Sequence, residues 1–187
     1  MQPPLNEPDL IERASAGDRA AVSTLYDAYV QAIFAYINYR VDSGAIAEDL
    51  TADVFLRMIR ALPKFQYTGA PFGAWLYRIA ANRVAEYYRE KQPVHWDSLL
   101  ENYRSNDPDL DDQIVDEAQR SRVREALLSL PEDYQTVLIL RFTQDLPHTE
   151  VASIMGKSIE AVRVLQHRAL KALAKSMTQS NEIEGSE

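Results

Sequence analysis

The chain of 187 residues contains no cysteine, which excludes disulfide bridges and thiolate metal sites. Glycine is scarce, at 6 residues, and no long segment alternates apolar and polar positions as a half-buried strand does. Apolar runs are broken by charge well short of the ~20 residues a membrane span requires, so membrane insertion is not expected. Met1 to Asp9 has neither a basic start nor an apolar stretch, and a secretory leader is not expected there. Catalytic constellations are also missing. His95, His148 and His167 lie far apart without ligand spacing, and there is no Gly-x-Ser-x-Gly elbow. Met155-Gly156-Lys157-Ser158 ends like a phosphate-binding loop, but Val151 stands where that loop needs glycine. Paired carboxylates such as Asp111 and Asp112 fall where no rigid pocket would tune them. The expectation is a cytoplasmic protein that is not an enzyme and holds no metal or cofactor.

What is present is helical periodicity. Asp9 to Ala16 reads as a short helix stopped by Gly17, and Asp18 is placed to cap the next, with its stripe of Val22, Leu25, Tyr29, Ala32, Ile33 and Tyr36. A third helix carries Ala47, Leu50, Val54, Met58 and Ala61, ending near Pro63. A fourth, after Gly69 and Pro71, carries Phe72, Trp75, Leu76, Ile79, Arg83, Val84 and Tyr87 until Pro93. Helices in such number can bury a shared core. Periodicity resumes at Val123, Ala126, Leu127 and Leu130, and Pro131 opens a helix with Tyr134, Val137, Leu138 and Phe142. The fold expected is all-α, with two small helical domains over 1–91 and 118–177. An acidic linker over 92–117 would join them, and a loose acidic tail would follow over 178–187. Within the linker only Trp96, Leu99, Leu100 and Tyr103 offer apolar surface.

The formal charge of -8 looks unsuited to a DNA-binding protein, but it is unevenly spread. Residues 91–120 carry 3 Lys/Arg against 8 Asp/Glu. Arg57 to Lys91 carries 7 against 2, and Lys157 to Lys175 carries 5 against 1. Local field matters more for phosphate contact than the total. The second basic window coincides with a short helix (Val151, Ile154, Met155), a turn at Gly156, and a longer helix (Val162, Leu165, Ala169, Leu173). This is the helix-turn-helix layout, with Thr149 and Ser158 as candidate caps. Arg163, Val164, His167, Arg168, Lys171 and Lys175 are left on the solvent side, where a recognition helix meets the major groove. An ordinary helical hairpin with a basic outer face is the alternative. In the first basic window aromatics interleave with cations, a pattern that suits unpaired bases. Trp75, Ile79 and Tyr87 are assigned to the core there, and Arg78, Asn82 and Arg89 to the surface. Asp53 and Arg57 suit an i,i+4 pair worth only ~0.2–0.5 kcal/mol; a protein-docking face is the other reading.

Six segments, in order, resemble the bacterial RNA polymerase sigma factors of the extracytoplasmic-function group. Ile46 to Arg57 (IAEDLTADVFLR), followed by Ala61 to Phe65 (ALPKF), is similar to their second conserved region. Gly73 to Arg83 (GAWLYRIAANR) resembles the adjoining promoter-opening segment. Leu128 to Arg141 (LSLPEDYQTVLILR) resembles the entry to the fourth region. Glu150 to Gly156 (EVASIMG) and Ala161 to Ala169 (AVRVLQHRA) resemble its helix-turn-helix. The resemblance implies a promoter-specificity subunit that binds core RNA polymerase and directs promoter recognition, melting and initiation. Glu48, Asp49, Asp53 and Arg57 would dock on the clamp helices of the largest subunit, and the fourth region on the flap of the second largest. The loop from Phe65 to Phe72, with Arg78, Asn82, Arg83 and Arg89, would bind the -10 element, Asn82 standing near a flipped-out base. Ser158, Arg163, Val164, His167, Arg168 and Lys171 would serve the -35 element. The acidic connector would mimic nucleic acid on its way through the polymerase, and an anti-sigma factor is a possible further partner. The sequence departs from the family at Glu160-Ala161, where Gly-Thr is frequent, and at Val164 and Leu165, where polar or basic residues are frequent. Val164 would then meet a thymine methyl. A free-standing helix-turn-helix regulator with an N-terminal sensory or dimerisation domain is the competing reading of the residues alone.

Overall fold

The structure is a computed structural model that describes residues 6–66, 71–91 and 121–184, with side chains as far as Thr178. The N-terminal half comprises α1 (Glu7–Ser15), α2 (Arg19–Asn38), α3 (Gly44–Ala61), a 3-10 turn (Leu62–Lys64) and α4 (Phe72–Lys91). The C-terminal half comprises α5 (121–128), α6 (Glu132–Leu138), a π-turn (Ile139–Thr143), α7 (His148–Met155) and α8 (Ile159–Glu184). No strand occurs among the described residues. The linker expected over 92–117, with Trp96, Leu99, Leu100 and Tyr103, lies outside them.

Local chemistry sets the helix ends. Gly17 takes φ 92 after α1, and the Asp18 carboxylate then accepts from the Ala20 and Ala21 amides at 2.8 and 3.3 Å, satisfying donors that the first turn of α2 leaves open. The same carboxylate takes Arg13, which holds it below the usual carboxylate range together with those amides. Along α2, Ala21, Leu25, Tyr29, Ile33 and Ile37 recur every four residues and are all buried. They meet Ala47, Leu50, Val54 and Met58 of α3, and Phe72, Leu76, Ala80 and Val84 of α4. Burying one such large side chain contributes about 1.5–3 kcal/mol, several times a surface ion pair, so packing rather than charge decides which helices pair.

Two local expectations are corrected. α7 begins at His148 with Pro147 before it, so Thr149 lies inside the helix and caps nothing. Proline suits that position because an amide there would have no helical partner. The tail expected over 178–187 is helical to Glu184: the Thr178 hydroxyl donates to Ala174 O at 2.9 Å, and no glycine or proline interrupts the chain before Gly185.

The two halves also touch, which the sequence did not announce. α4 packs against α7, and α2 against the π-turn. Arg40, 3% exposed, lies in this junction.

Candidate nucleic-acid and polymerase interface

Between the 3-10 turn and α4 lies a cleft of about 360 Å³ lined by Ala61, Lys64, Phe65, Gln66, Pro71, Trp75 and Arg78. Its apolar wall is an aromatic cluster. The Phe65 and Trp75 rings are 4.6 Å apart between centroids, Phe65 and Phe72 5.5 Å, and Phe72 and Trp75 5.3 Å. Phe72 is fully buried and anchors the cluster, while Phe65 and Trp75 are only partly covered. Lys64 and Arg78 are exposed beside the rings. Ring faces beside cations are what an unstacked nucleotide needs, a π-surface for the base and charge for its phosphate. Trp75, assigned to the core from its spacing, is therefore both a core contact and a wall of the cleft. Lys64 and Gln66 were not singled out from the sequence. The signal available was the position of ALPKF beside the Gly69–Pro71 break.

Asn82 and Arg89 are exposed on α4 beyond Arg78, and Asn82 is not part of the cleft wall. Arg83 is placed differently from its neighbours. Its side chain is 15% exposed, with Nε donating to Asp53 at 2.7 Å and Nη1 lying 3.4 Å from Glu90. Arg57 pairs with the same Asp53 at 3.2 Å and with Glu86 at 2.7 Å. The i,i+4 pair expected from Asp53 and Arg57 is thus present, and it extends into a lattice that ties α3 to α4. Donation from Arg57 holds the Glu86 carboxyl below its ordinary range, and the same bond raises the guanidinium of Arg57. Of the four residues assigned to the polymerase face, Glu48 and Asp49 are exposed, whereas Asp53 and Arg57 are half-buried in this lattice. Leu56 and Ile59, 51% and 46% exposed, extend the outer face of α3 and carried no periodic signal of their own.

In the C-terminal half, α7 and α8 form a compact helix-turn-helix. Gly156 turns the chain at φ 63, and Ser158 accepts from the Ala161 amide at 3.1 Å, capping α8 as its position in the sequence suggests. His148 Nε2 and Gln166 Oε1, 2.7 Å apart, fix the entry of α7 against α8. Val151, Ile154, Val162 and Ala169 are buried between the helices. Arg163, Val164, His167, Arg168 and Lys171 all face solvent, Val164 with 51% exposure. Leu165 turns inward onto the core, so one of the two unusual apolar positions serves packing and only Val164 is offered outward. Asp145 occupies the left-handed region at φ 49 ahead of α7.

Comparisons with known proteins agree with this division. Residues 25–94 match the family model of Sigma-70 region 2, and residues 120–173 that of Sigma-70 region 4. The chain is 34% identical over 170 residues to the ECF RNA polymerase sigma factor SigD of Mycobacterium tuberculosis, spanning 88% of this chain and 80% of SigD. It belongs to the extracytoplasmic-function sigma factors. The sigma factor is also 37% identical over 171 residues to BldN of Streptomyces coelicolor, where the match covers 89% of this chain but 64% of the relative's length. Its fold is that of CnrH, solved in complex with the cytosolic domain of CnrY, with a TM-score of 0.66, 22% identity, and coverage of 96% of this chain and 97% of CnrH. Sigma factors of this family are DNA-binding initiation subunits of RNA polymerase, and among the described residues no helix is long and apolar enough to cross a membrane.

Proposed function

We propose that this sigma factor opens its promoters by drawing an unpaired base of the -10 element into the aromatic cleft. The observation that carries the reading is the cluster of Phe65, Phe72 and Trp75 flanked by Lys64 and Arg78. Taking a base out of the duplex costs a few kcal/mol, and stacking on one aromatic returns about 1–3 kcal/mol, so rings and cations together can hold it open. Arg78, Asn82 and Arg89 follow one another along α4 and would carry the strand past the cleft. Arg83 acts one step back, fixing α4 on α3. Glu48 and Asp49, with Leu56 and Ile59 on the same helix, would dock on the clamp helices, and the C-terminal half on the flap. Arg163, Arg168 and Lys171 would hold -35 phosphates, with Val164 against a thymine methyl and His167 beside it. The protein itself catalyses nothing, since the chemistry belongs to the polymerase, and it works in the cytoplasm where polymerase and chromosome meet. An anti-sigma factor is a further partner in this reading, as CnrY accompanies CnrH.

Run-off transcription with core polymerase tests it. Trp75→Ala should slow open-complex formation roughly 5- to 100-fold, in line with the loss of one stacking contact. A template already unpaired across the -10 element should restore the rate. A slowed rate that the unpaired template does not restore, or no slowing at all, would remove the cleft from promoter opening.

A further inference from the structure

The aromatic cleft leans on a helix that contributes nothing to its lining. α1 packs on α2 and on the 3-10 turn that carries Lys64 to the cleft, with Leu10, Ile11 and Ala14 buried. The two ends of α1 are fastened differently. Near its C-terminus, Arg13 pairs with Asp18 at 2.6 Å on the surface. At its N-terminus, the half-buried Glu7 carboxylate accepts from the hydroxyl of Tyr29 on α2. Glu7 and the rest of α1 lie ahead of residues 25–94, the part that matches region 2.

Tyr29 is 1% exposed, and a phenol so deeply buried needs a partner for its proton. Burial first, and the Glu7 hydrogen bond second, push it above the ordinary phenol range, so it stays protonated and donates. The amide of Gly73, in the first turn of α4, faces the same oxygen. The Tyr29 ring stands edge to face with Phe72, 5.7 Å between centroids and 61° between planes. Phe72 in turn meets Phe65 and Trp75, the two partly covered rings of the cleft. A continuous path of contacts therefore runs from Glu7 through Tyr29 to the rings on which a base would stack. A hydrogen bond that served stability alone could sit anywhere between α1 and α2. This one holds the residue that touches both the start of α4 and the ring at the base of the cleft.

We propose that Glu7 is a positioning residue for promoter opening, setting through Tyr29 and Phe72 the seat of the Phe65 and Trp75 rings. The proposal deepens the reading of the cleft as the seat of an unpaired -10 base, and it rests on that reading. A site holds its ligand only as firmly as the groups behind it hold the residues in contact. Without Glu7 the Tyr29 hydroxyl loses its acceptor while still buried, and the ring moves or admits water to satisfy it. In a close-packed interior that displacement passes to Phe72 and from there to the cleft.

The full chain has two tryptophans, Trp75 and Trp96, so Trp96→Phe leaves Trp75 as the sole emitter for acrylamide quenching. In that background Glu7→Ala and Tyr29→Phe remove the hydrogen bond, and Glu7→Gln keeps an acceptor without the charge. Asp18→Ala loosens the other end of α1 and uncaps α2, which serves as the control for general loss of stability. Glu7→Ala and Tyr29→Phe should raise the Trp75 quenching constant about twofold, as a ring that loses its fixed seat does. With core polymerase they should slow open-complex formation roughly 2- to 10-fold, the range in which one hydrogen bond of ordinary net strength acts. Glu7→Gln should stay near the starting protein in both. Asp18→Ala should lower the melting temperature and leave both readouts in place. Unchanged quenching in Glu7→Ala would overturn the proposal, and so would an Asp18→Ala variant that moves both readouts as far as Glu7→Ala. Raised quenching with an unchanged opening rate, where Trp75→Ala does slow opening, would overturn the role of Glu7 in promoter opening. The two readings fail separately: a Trp75→Ala variant that opens promoters normally counts against base capture, whereas the quenching judges the path from Glu7 to Trp75.

Discussion

At the residue scale, the three arginines and one asparagine of α4 divide by what they touch. Arg78, Asn82 and Arg89 are exposed, and Arg83 is bound to Asp53 with Glu86 and Glu90 near by. From the sequence all four look alike, because alternation of aromatics with cations does not reveal which cation meets a carboxylate 30 residues earlier. Removing a largely buried cation from its carboxylates costs about 1–3 kcal/mol, while an exposed cation costs less than about 0.5 kcal/mol. Arg83→Ala should therefore lower the urea midpoint clearly, and Arg78→Ala should leave it in place. Equal midpoints for the two would show that Arg83 does not hold the helices together. The same logic changes the choice of substitution on the polymerase face. Asp53→Arg would set a cation against Arg57 and Arg83 and so disturb folding, which makes Glu48 and Asp49 the cleaner positions.

At the scale of elements, the lattice between α3 and α4 gives stability a dependence on acid. Glu86 is held below its ordinary value of 4.5, first by the hydrogen bond from Arg57. A depressed carboxyl contributes stability that is fully present above the unfolded value and is lost as pH falls through the folded one. Melting temperature should accordingly fall between about pH 5 and pH 3, and Glu86→Gln should fall less steeply over that window. Parallel slopes for the two proteins would exclude Glu86 as a source of the acid sensitivity. The recognition helix offers its own test. Each phosphate contact adds about 0.9 to the slope of log affinity against log salt, so Arg168→Ala should reduce the slope of -35 binding by about that amount. Filter binding across a salt series measures it, and an unchanged slope would take Arg168 off the phosphate. Helix identity and the caps at Asp18 and Ser158 were legible in the sequence because they depend on residues only three or four apart. The start of α7 was misplaced by the choice of Thr149 over Pro147, two residues that both belong at helix beginnings. The end of α8 was misplaced because polar residues without glycine or proline do not stop a helix.

At the scale of the whole molecule, composition and the order of motifs revealed two helical domains, and the family comparison agrees. What the sequence withheld is the contact between the domains. Arg40 and Glu132, 3.0 Å apart, are separated by 92 positions; Arg40 belongs to no stripe or motif, and the LSLPEDYQTVLILR segment that contains Glu132 does not mark it as a partner of Arg40. The proposed polymerase face is a property of this scale too, since it would work only in the assembled enzyme. Glu48→Arg with Asp49→Arg should weaken core binding at least tenfold, about 1.4 kcal/mol, with no change in melting temperature, because both side chains are exposed. A pull-down with undiminished core polymerase would move the docking surface elsewhere, the apolar pair Leu56 and Ile59 being the next positions to change. α8 has a consequence of a mechanical kind. At 1.5 Å per residue its 26 residues make a rod about 39 Å long, of which about 20 Å extends past Lys171, the last of the proposed phosphate contacts. A tilt of ten degrees about its start would swing the far end by about 7 Å, so if α8 reads the -35 element as proposed, its end would act as a pointer that magnifies small changes in how the protein seats on DNA.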